Sequence, residues 1–178
     1  MFFENKLISG LFIKRYKRFF VDVQIENKVI TAHCPNTGSM KGLLKEGNKV
    51  WLSKSNNPDR KLKYTLQIIE DDTSKVGVNT HLTNKIVLDA LTNNLIKEFD
   101  KDITIKSEVK FGDNTRFDFL ITKKNYKAFV EVKNVTLVRK HNTAEFPDAI
   151  TSRGPNHMQE LIKASKKGYK GYIAFIIQ

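Results

Sequence analysis

The sequence is poor in the residues that staple, kink or anchor a fold. Its 178 residues include one cysteine, Cys34, four prolines and one tryptophan. A single thiol makes no internal disulfide and no multi-cysteine zinc site, so a disulfide scaffold and a zinc ribbon are excluded and a reducing cytoplasm is the simple reading. No run approaches the ~18 consecutive apolar residues of a spanning helix, so no membrane is expected. Residues 1–12 place two Phe and then Glu4 where a signal peptide carries a basic region and a long apolar run, so secretion is not expected either. Arginine is scarce as well, 6 of 31 cations, beside 25 lysines and 15 asparagines. Such a bias looks like drift in codon usage, and it weakens charge as a functional signal.

What the chain does have is a formal net charge of +12, with 40% hydrophobic and 28% charged residues. The hydrophobic content suffices for a core. The charge points to a polyanionic partner, nucleic acid first. Residues 1–80 carry 14 cations and 8 anions and residues 81–178 carry 17 and 11, so each half is +6 and the excess is no detachable tail. No repeat, low-complexity tract or Ser/Gly linker interrupts the sequence.

The first half reads as short strands at residues 11–25, 29–32, 50–52 and 63–69, separated by turn-rich pieces around 35–39, 45–48 and 55–59. Such punctuation indicates a small barrel or sandwich. The second half changes character. A helical stripe of Ile86, Val87, Ala90, Leu91, Leu95 and Ile96 predicts a helix over 84–99. Strands follow at 103–111, 116–122 and 126–135, then a helix over 155–167 opened by Pro155 and closed by Gly168, and a last strand at 172–177.

Alternation in those three strands sorts side chains by face. Ile103, Ile105, Val109 and Phe111 share one face with Ser107, and Glu108 lies opposite. Phe117, Phe119 and Ile121 oppose Arg116 and Asp118, while Ala128, Val130 and Val132 oppose Glu131 and Lys133. Short connections at 112–114 and 123–125 allow antiparallel hairpins, which would gather Glu108, Asp118, Glu131 and Lys133 on one face. Clustered carboxylates repel unless a cation neutralises them, and hard oxygens suit Mg²⁺ or Mn²⁺. A solvated face carrying cross-strand ion pairs fits the same alternation.

Asp118 followed by Glu131-Val132-Lys133 on the next strand, within an αβββαβ order, resembles the PD-(D/E)xK nuclease superfamily. A closer resemblance appears in GLFIKRYKRF at 10–19, AHCPNTGSM at 32–40, NPDRK at 57–61 and VGVNT at 76–80. It continues in EVKNVTL at 131–137, FPDA at 146–149 and TSRG at 151–154 with His157. Together these segments are similar to the sugar fermentation stimulation protein A family along essentially the whole chain. The resemblance implies an α+β protein of two domains: an N-terminal OB-type barrel over 1–80 and a PD-(D/E)xK nuclease-like domain over 81–178. It implies a cytoplasmic protein that binds DNA without sequence preference. Asp118 and Glu131 would be metal ligands, Lys133 the catalytic lysine and Glu108 a third acid. Family members usually run on beyond residue 178; that tail is absent, which bears on stability and on a homodimer contact.

Other residues have their own readings. In residues 11–20 the basic Lys14, Arg15 and Arg18 interleave with Tyr16 and other aromatics, a scheme that neutralises phosphates and stacks on bases and equally fits a barrel strand. Arg60 and Lys61 form a second basic cluster. Arg153 and His157, four apart at the start of the second helix, are candidates to clamp a DNA backbone, and His157 to assist proton transfer. Asn36 to Ser39 reads as a tight turn whose amides suit a phosphate or simply close the chain, and His33-Cys34 reads as structural. An RNA ligand, or a catalytically idle DNA-binding factor linked to sugar (maltose) metabolism, is the alternative function.

Overall fold

The computed structural model describes residues 3, 5–72, 74–99, 102–113, 115–140, 143–149 and 153–178, without the side chains of Lys140 and Arg153. Thr151 and Ser152 of the TSRG segment and Asn114 of the first hairpin turn lie outside the described residues. The aromatic-rich run at 11–25 is two strands. β1 (Ile8–Tyr16) reverses into β2 (Phe20–Ile25) at Lys17 and Arg18, whose φ angles are 47° and 61°. Consecutive left-handed residues make a turn whose twist matches that of the paired strands. Glu26 (φ 52°) then leads into β3 (Lys28–His33). β4 (Lys49–Lys54), β5 (Tyr64–Glu70) and the short β6 (Lys75–Gly77) complete the order β3-β2-β1-β4-β5-β6.

A parallel contact of His33 with Thr65 joins β3 to β5 and closes five strands into the expected OB-type barrel. Alternation fills its interior. Val21 and Val23 from β2, Ala32 from β3, Val50 and Leu52 from β4 and Leu66 and Ile69 from β5 are wholly buried. Burying each such branched side chain favours folding by roughly 1.5–3 kcal/mol. Met40, Leu43 and Val78 join that core from the connections.

The chain divides into two compact units: Met1–Leu82 with Val135–Ala149 and Ile177–Gln178, and Thr83–Asn134 with Ile150–Ile176. Segment 135–149 thus packs with the barrel. It contains a hairpin that the strand pattern of the sequence does not predict, β10 (Leu137–Lys140) with β11 (Thr143–Glu145), and a cis peptide at Phe146-Pro147.

In the second unit the first helix, α1 (Thr80–Thr92), starts four residues before the apolar stripe predicts and ends seven before its end. Asn79 sets the start by accepting the His81 N–H through its side chain at 3.1 Å, and Asn94 at φ 54° stops any continuation. The sheet has the order β12-β9-β8-β7, from β7 (Thr104–Phe111), β8 (Thr115–Lys123), β9 (Tyr126–Val135) and β12 (Lys170–Ile177). Both expected hairpins are antiparallel. Helix α2 (Arg153–Lys166) ends before Gly168, whose φ of 86° suits glycine.

Each sheet face has its own helix. Phe119, Ile121, Ala128 and Val130 pack with Val87 and Leu91 of α1, whereas Phe117 and Phe129 pack with Leu161 and Ala164 of α2. Here simple alternation fails. Ile105 belongs to the α1 cluster, but Val109 and Phe111 belong to the α2 cluster. Between them Glu108 adopts φ 54°, a left-handed residue that turns the rest of β7 to the other face.

Candidate catalytic site

The β8–β9 ladder runs from Lys123 opposite Tyr126 to Phe119 opposite Val130. One rung further, a side chain takes the place of the main-chain acceptor. Asp118 Oδ2 accepts the Val132 N–H at 2.7 Å, and Oδ1 accepts a hydrogen bond from Asn84 Nδ2 of α1, also at 2.7 Å. The bonded nitrogen is that of the Glu131–Val132 peptide, so the two acids of the sequence motif sit on adjacent strands at the same level.

Glu131 is only 3% exposed. It lies between Val130 and Val132, which face α1, and so it projects with Lys133 toward the side of α2. Its Oε1 accepts a hydrogen bond from Lys133 Nζ at 2.5 Å and is bonded to His157 Nδ1 of α2. Its Oε2 has no hydrogen-bond partner among the described residues. Lys133 and His157 are themselves mostly buried. A carboxylate out of water is therefore held by two basic groups on one oxygen and by none on the other.

Glu108 stands apart from this group. Its exposed carboxylate pairs with Arg116 at 3.7 Å. Among the described residues no three His, Cys, Asp or Glu side chains gather as a cation site. Asn84 had no sequence signal, being one polar residue on a helix.

The barrel residues divide by what their side chains already touch. Arg15 donates to the carbonyls of Asn36 (2.7 Å), Gly38 (2.8 Å) and Arg18 (3.0 Å), which ties β1 to the 36–38 loop. Arg60 Nη2 donates to Thr65 Oγ1 at 2.8 Å. Arg18 and Lys61 are exposed. Tyr16 stacks on Phe20 at 5.5 Å between centroids, with Lys14 Nζ 5.9 Å from the Tyr16 ring and Phe19 47% exposed beside them. Lys14 also lies 3.9 Å from Asp22. Arg153 opens α2, and its side chain lies outside the described residues.

A family model described as "SfsA N-terminal OB domain" matches residues 13–78, and one described as "Sugar fermentation stimulation protein RE domain" matches residues 81–178. The chain belongs to the sugar fermentation stimulation protein family. A homolog so named from Pelagibacter ubique (strain HTCC1062) is 60% identical over 178 residues, covering all of this chain and 77% of the relative. Another from Brucella ovis (strain ATCC 25840 / 63/290 / NCTC 10512) is 47% identical over 180 residues and is covered to 76%. A solved structure of SfsA from Pyrococcus furiosus, in complex with Ca²⁺, superposes with a TM-score of 0.86 at 28% identity, covering 96% of this chain and 72% of that one. Both the family and the barrel-plus-sheet architecture expected from the sequence are thereby established.

In this family member the 36–39 turn uses its polar groups internally. Gly38 N–H donates to Asn36 Oδ1 at 2.8 Å, and Met40 N–H donates to Asp148 Oδ2 at 3.1 Å. The Cys34 thiol is buried, points at Asn36 O at 3.5 Å and is pushed up in pKa by that burial.

His33 carries a pH signature. Burial holds its pKa below the ordinary histidine value, helped by the positive charges of Arg60 and His81, whose ring lies 6.2 Å away. As pH falls the unfolded chain takes up this proton first, so the associated stability is complete above about pH 6.5 and is lost as pH drops through the folded value. Melting temperature should therefore fall less between about pH 7.5 and about pH 5.5 in His33→Gln than in the wild type. Parallel curves for the two proteins would contradict this assignment.

Proposed function

We propose that this protein binds DNA without sequence preference and hydrolyses its phosphodiester bonds at Asp118, Glu131 and Lys133 with a divalent metal ion, in the cytoplasm. The observation that carries the reading is the Oε2 of buried Glu131, which has no partner among the described residues. Leaving a buried acceptor unmade costs about 1–3 kcal/mol, more for a charged group, and a bound cation removes that cost. Mg²⁺ and Mn²⁺ favour oxygen ligands, and Mg²⁺ commonly takes one or two carboxylates while keeping water or phosphate oxygens elsewhere. Asp118 and Glu131 fit that donor set. Ca²⁺, the ion in complex with the Pyrococcus furiosus protein, has the same preference for oxygen.

Such an ion, when bound, supplies Lewis-acid polarisation of the phosphate and an activated water. The rest is the work of the chain. Asn84 and the Val132 N–H fix the Asp118 carboxylate. His157 fixes Glu131 from α2 and is a proton carrier next to it. The Lys133 ammonium, restrained on Oε1, orients an attacking water or offsets charge on the phosphate. On the barrel, Tyr16 and Phe19 offer rings for stacking, with Lys14, Arg18 and Lys61 for phosphates.

The second reading is an idle site in a DNA-binding regulatory factor. It is favoured by Lys133 and His157 both occupying Oε1 and by the separation of Glu108. Purified protein incubated with Mg²⁺ or Mn²⁺ should nick supercoiled plasmid or shorten single-stranded oligonucleotides. Intact substrate with every divalent ion, together with retained DNA, would establish the idle reading. Competition between matched DNA and RNA oligomers at fixed salt tests the choice of polymer.

A further inference from the structure

One end of the second unit collects lysines from two elements. A groove of about 310 Å³ is lined by Lys123, Lys124, Lys127 and Lys167 with Tyr126 and Tyr169, and no acid among the described residues lines it. A second cavity of about 450 Å³ shares Lys167 and adds Lys163 and Lys166 at the C-terminal end of α2. Its acids are Asp113 and Glu160, and Glu160 is bonded to Lys163 at 2.7 Å. Lys170 Nζ sits 4.3 Å from the centre of the Tyr126 ring, and Lys167 Nζ lies 5.2 Å from that of Phe111.

Lysines in the last turn of α2 are ordinary, because they complement the negative end of the helix dipole. No helix dipole accounts for Lys124 and Lys127 of the β8–β9 hairpin standing beside them. Juxtaposed like charges oppose folding, and cross-strand or cross-element acids would have been the stabilising choice. Lys124, Lys127 and Lys166 are exposed and have neither a hydrogen bond nor an ion pair among the described residues. Exposed Lys124 and Lys127 in a groove with two tyrosine rings and no acid among its described lining, with exposed Lys166 in the adjoining cavity, fit a chain of phosphates, which supplies the missing charge along its length.

We infer that this lysine groove is a second docking surface for the phosphate backbone of DNA, on the nuclease-like unit itself and separate from the barrel. The inference rests on the DNA-binding reading above and deepens it. The unit that carries Asp118 and Glu131 holds the polymer directly, by contacts that are blind to sequence. Affinity contributed here is strongly salt-dependent, since each neutralised phosphate releases condensed counterions.

The test is a triple variant of the full chain, Lys124→Gln, Lys127→Gln and Lys166→Gln, compared with an equal-charge control, Lys28→Gln, Lys97→Gln and Lys106→Gln. Duplex binding is measured without divalent ions across a range of salt concentrations. The groove variant should weaken binding on the order of tenfold at moderate salt and flatten the plot of log affinity against log salt by about 2–3, at roughly 0.9 per lost contact. The control should move neither quantity to that extent, and unchanged melting temperatures confirm that both variants fold. If the wild type binds and the two variants behave alike, the groove is no docking surface while the DNA reading stands. If the wild type fails to bind duplex and single strands alike, the underlying DNA reading falls and this inference with it.

Discussion

Replacing Asp118 by asparagine is expected to lower metal-dependent cleavage at least about 100-fold while leaving DNA retention and melting temperature close to wild type. The magnitude follows from losing several kcal/mol of metal-derived charge stabilisation, at tenfold in rate per 1.36 kcal/mol. Survival of the fold follows from the hydrogen bonds. The introduced amide oxygen can accept the Val132 N–H, and its NH₂ can donate to a flipped Asn84 amide, so both anchors persist in neutral form. Glu131→Gln is a poorer probe. It removes the counter-charge of a buried Lys133, a change that costs about 3–5 kcal/mol when one partner of a buried pair is lost, and alters the oxygen that His157 meets. Calorimetric titration with Mn²⁺ gives an independent readout, in which Asp118→Asn should show weakened binding even if no nucleic acid is present. Undiminished cleavage by this variant would remove Asp118 from the mechanism.

How much of this was legible in the sequence depends on what each feature is made of. Alternation at Phe119, Ile121, Ala128 and Val130 gave the right face, because those residues stand on regular backbone with a helix above them. The same rule misassigned Phe117, which stands opposite Val109 and joins the α2 cluster rather than that of Phe119 and Ile121. It misassigned Val109 and Phe111 as well, because Glu108 is left-handed and hydrophobicity does not report a φ angle at a non-glycine residue. That residue also explains the place of Glu108. An acid at a backbone irregularity leaves the regular face, and its carboxylate meets Arg116. Helix α1 was misplaced at both ends for a related reason. Its first turn is polar, so no apolar stripe marks it, and the cap is a single asparagine in a chain that holds 15. The adjacency of the strands that carry Asp118 and Glu131 was legible, since the short turn between β8 and β9 fixes their register as far as Phe119 opposite Val130. Their supports were not. Asn84 and His157 reach the acids from helices on opposite faces of the sheet, and only tertiary packing brings them there.

Asp148 carries the largest stability effect expected outside the catalytic group. It lies 109 residues from Ser39 in sequence, yet Ser39 Oγ is 2.9 Å from its main-chain oxygen and 3.1 Å from its Oδ2, which also accepts the N–H of wholly buried Met40. These bonds fasten segment 135–149 to the loop after β3, the loop that Arg15 holds from its other side. Asp148→Ala loses charge-assisted bonds and strands the Met40 N–H, for about 2–4 kcal/mol. At roughly 2–4 °C per kcal/mol for a chain of this size, the melting temperature should fall by about 5–15 °C. Gly38 supplies the partner for a double-mutant cycle. A Cβ there would meet Asp148 Oδ2 at 2.7 Å and Asn36 Oδ1 at 3.0 Å, so Gly38→Ala forces the carboxylate away and costs about 1–3 kcal/mol. With Asp148 already truncated the nearest obstacle is gone, and the alanine should cost less by about 1 kcal/mol or more. Additivity of the two losses within about 0.5 kcal/mol would mean that the carboxylate does not press on this turn.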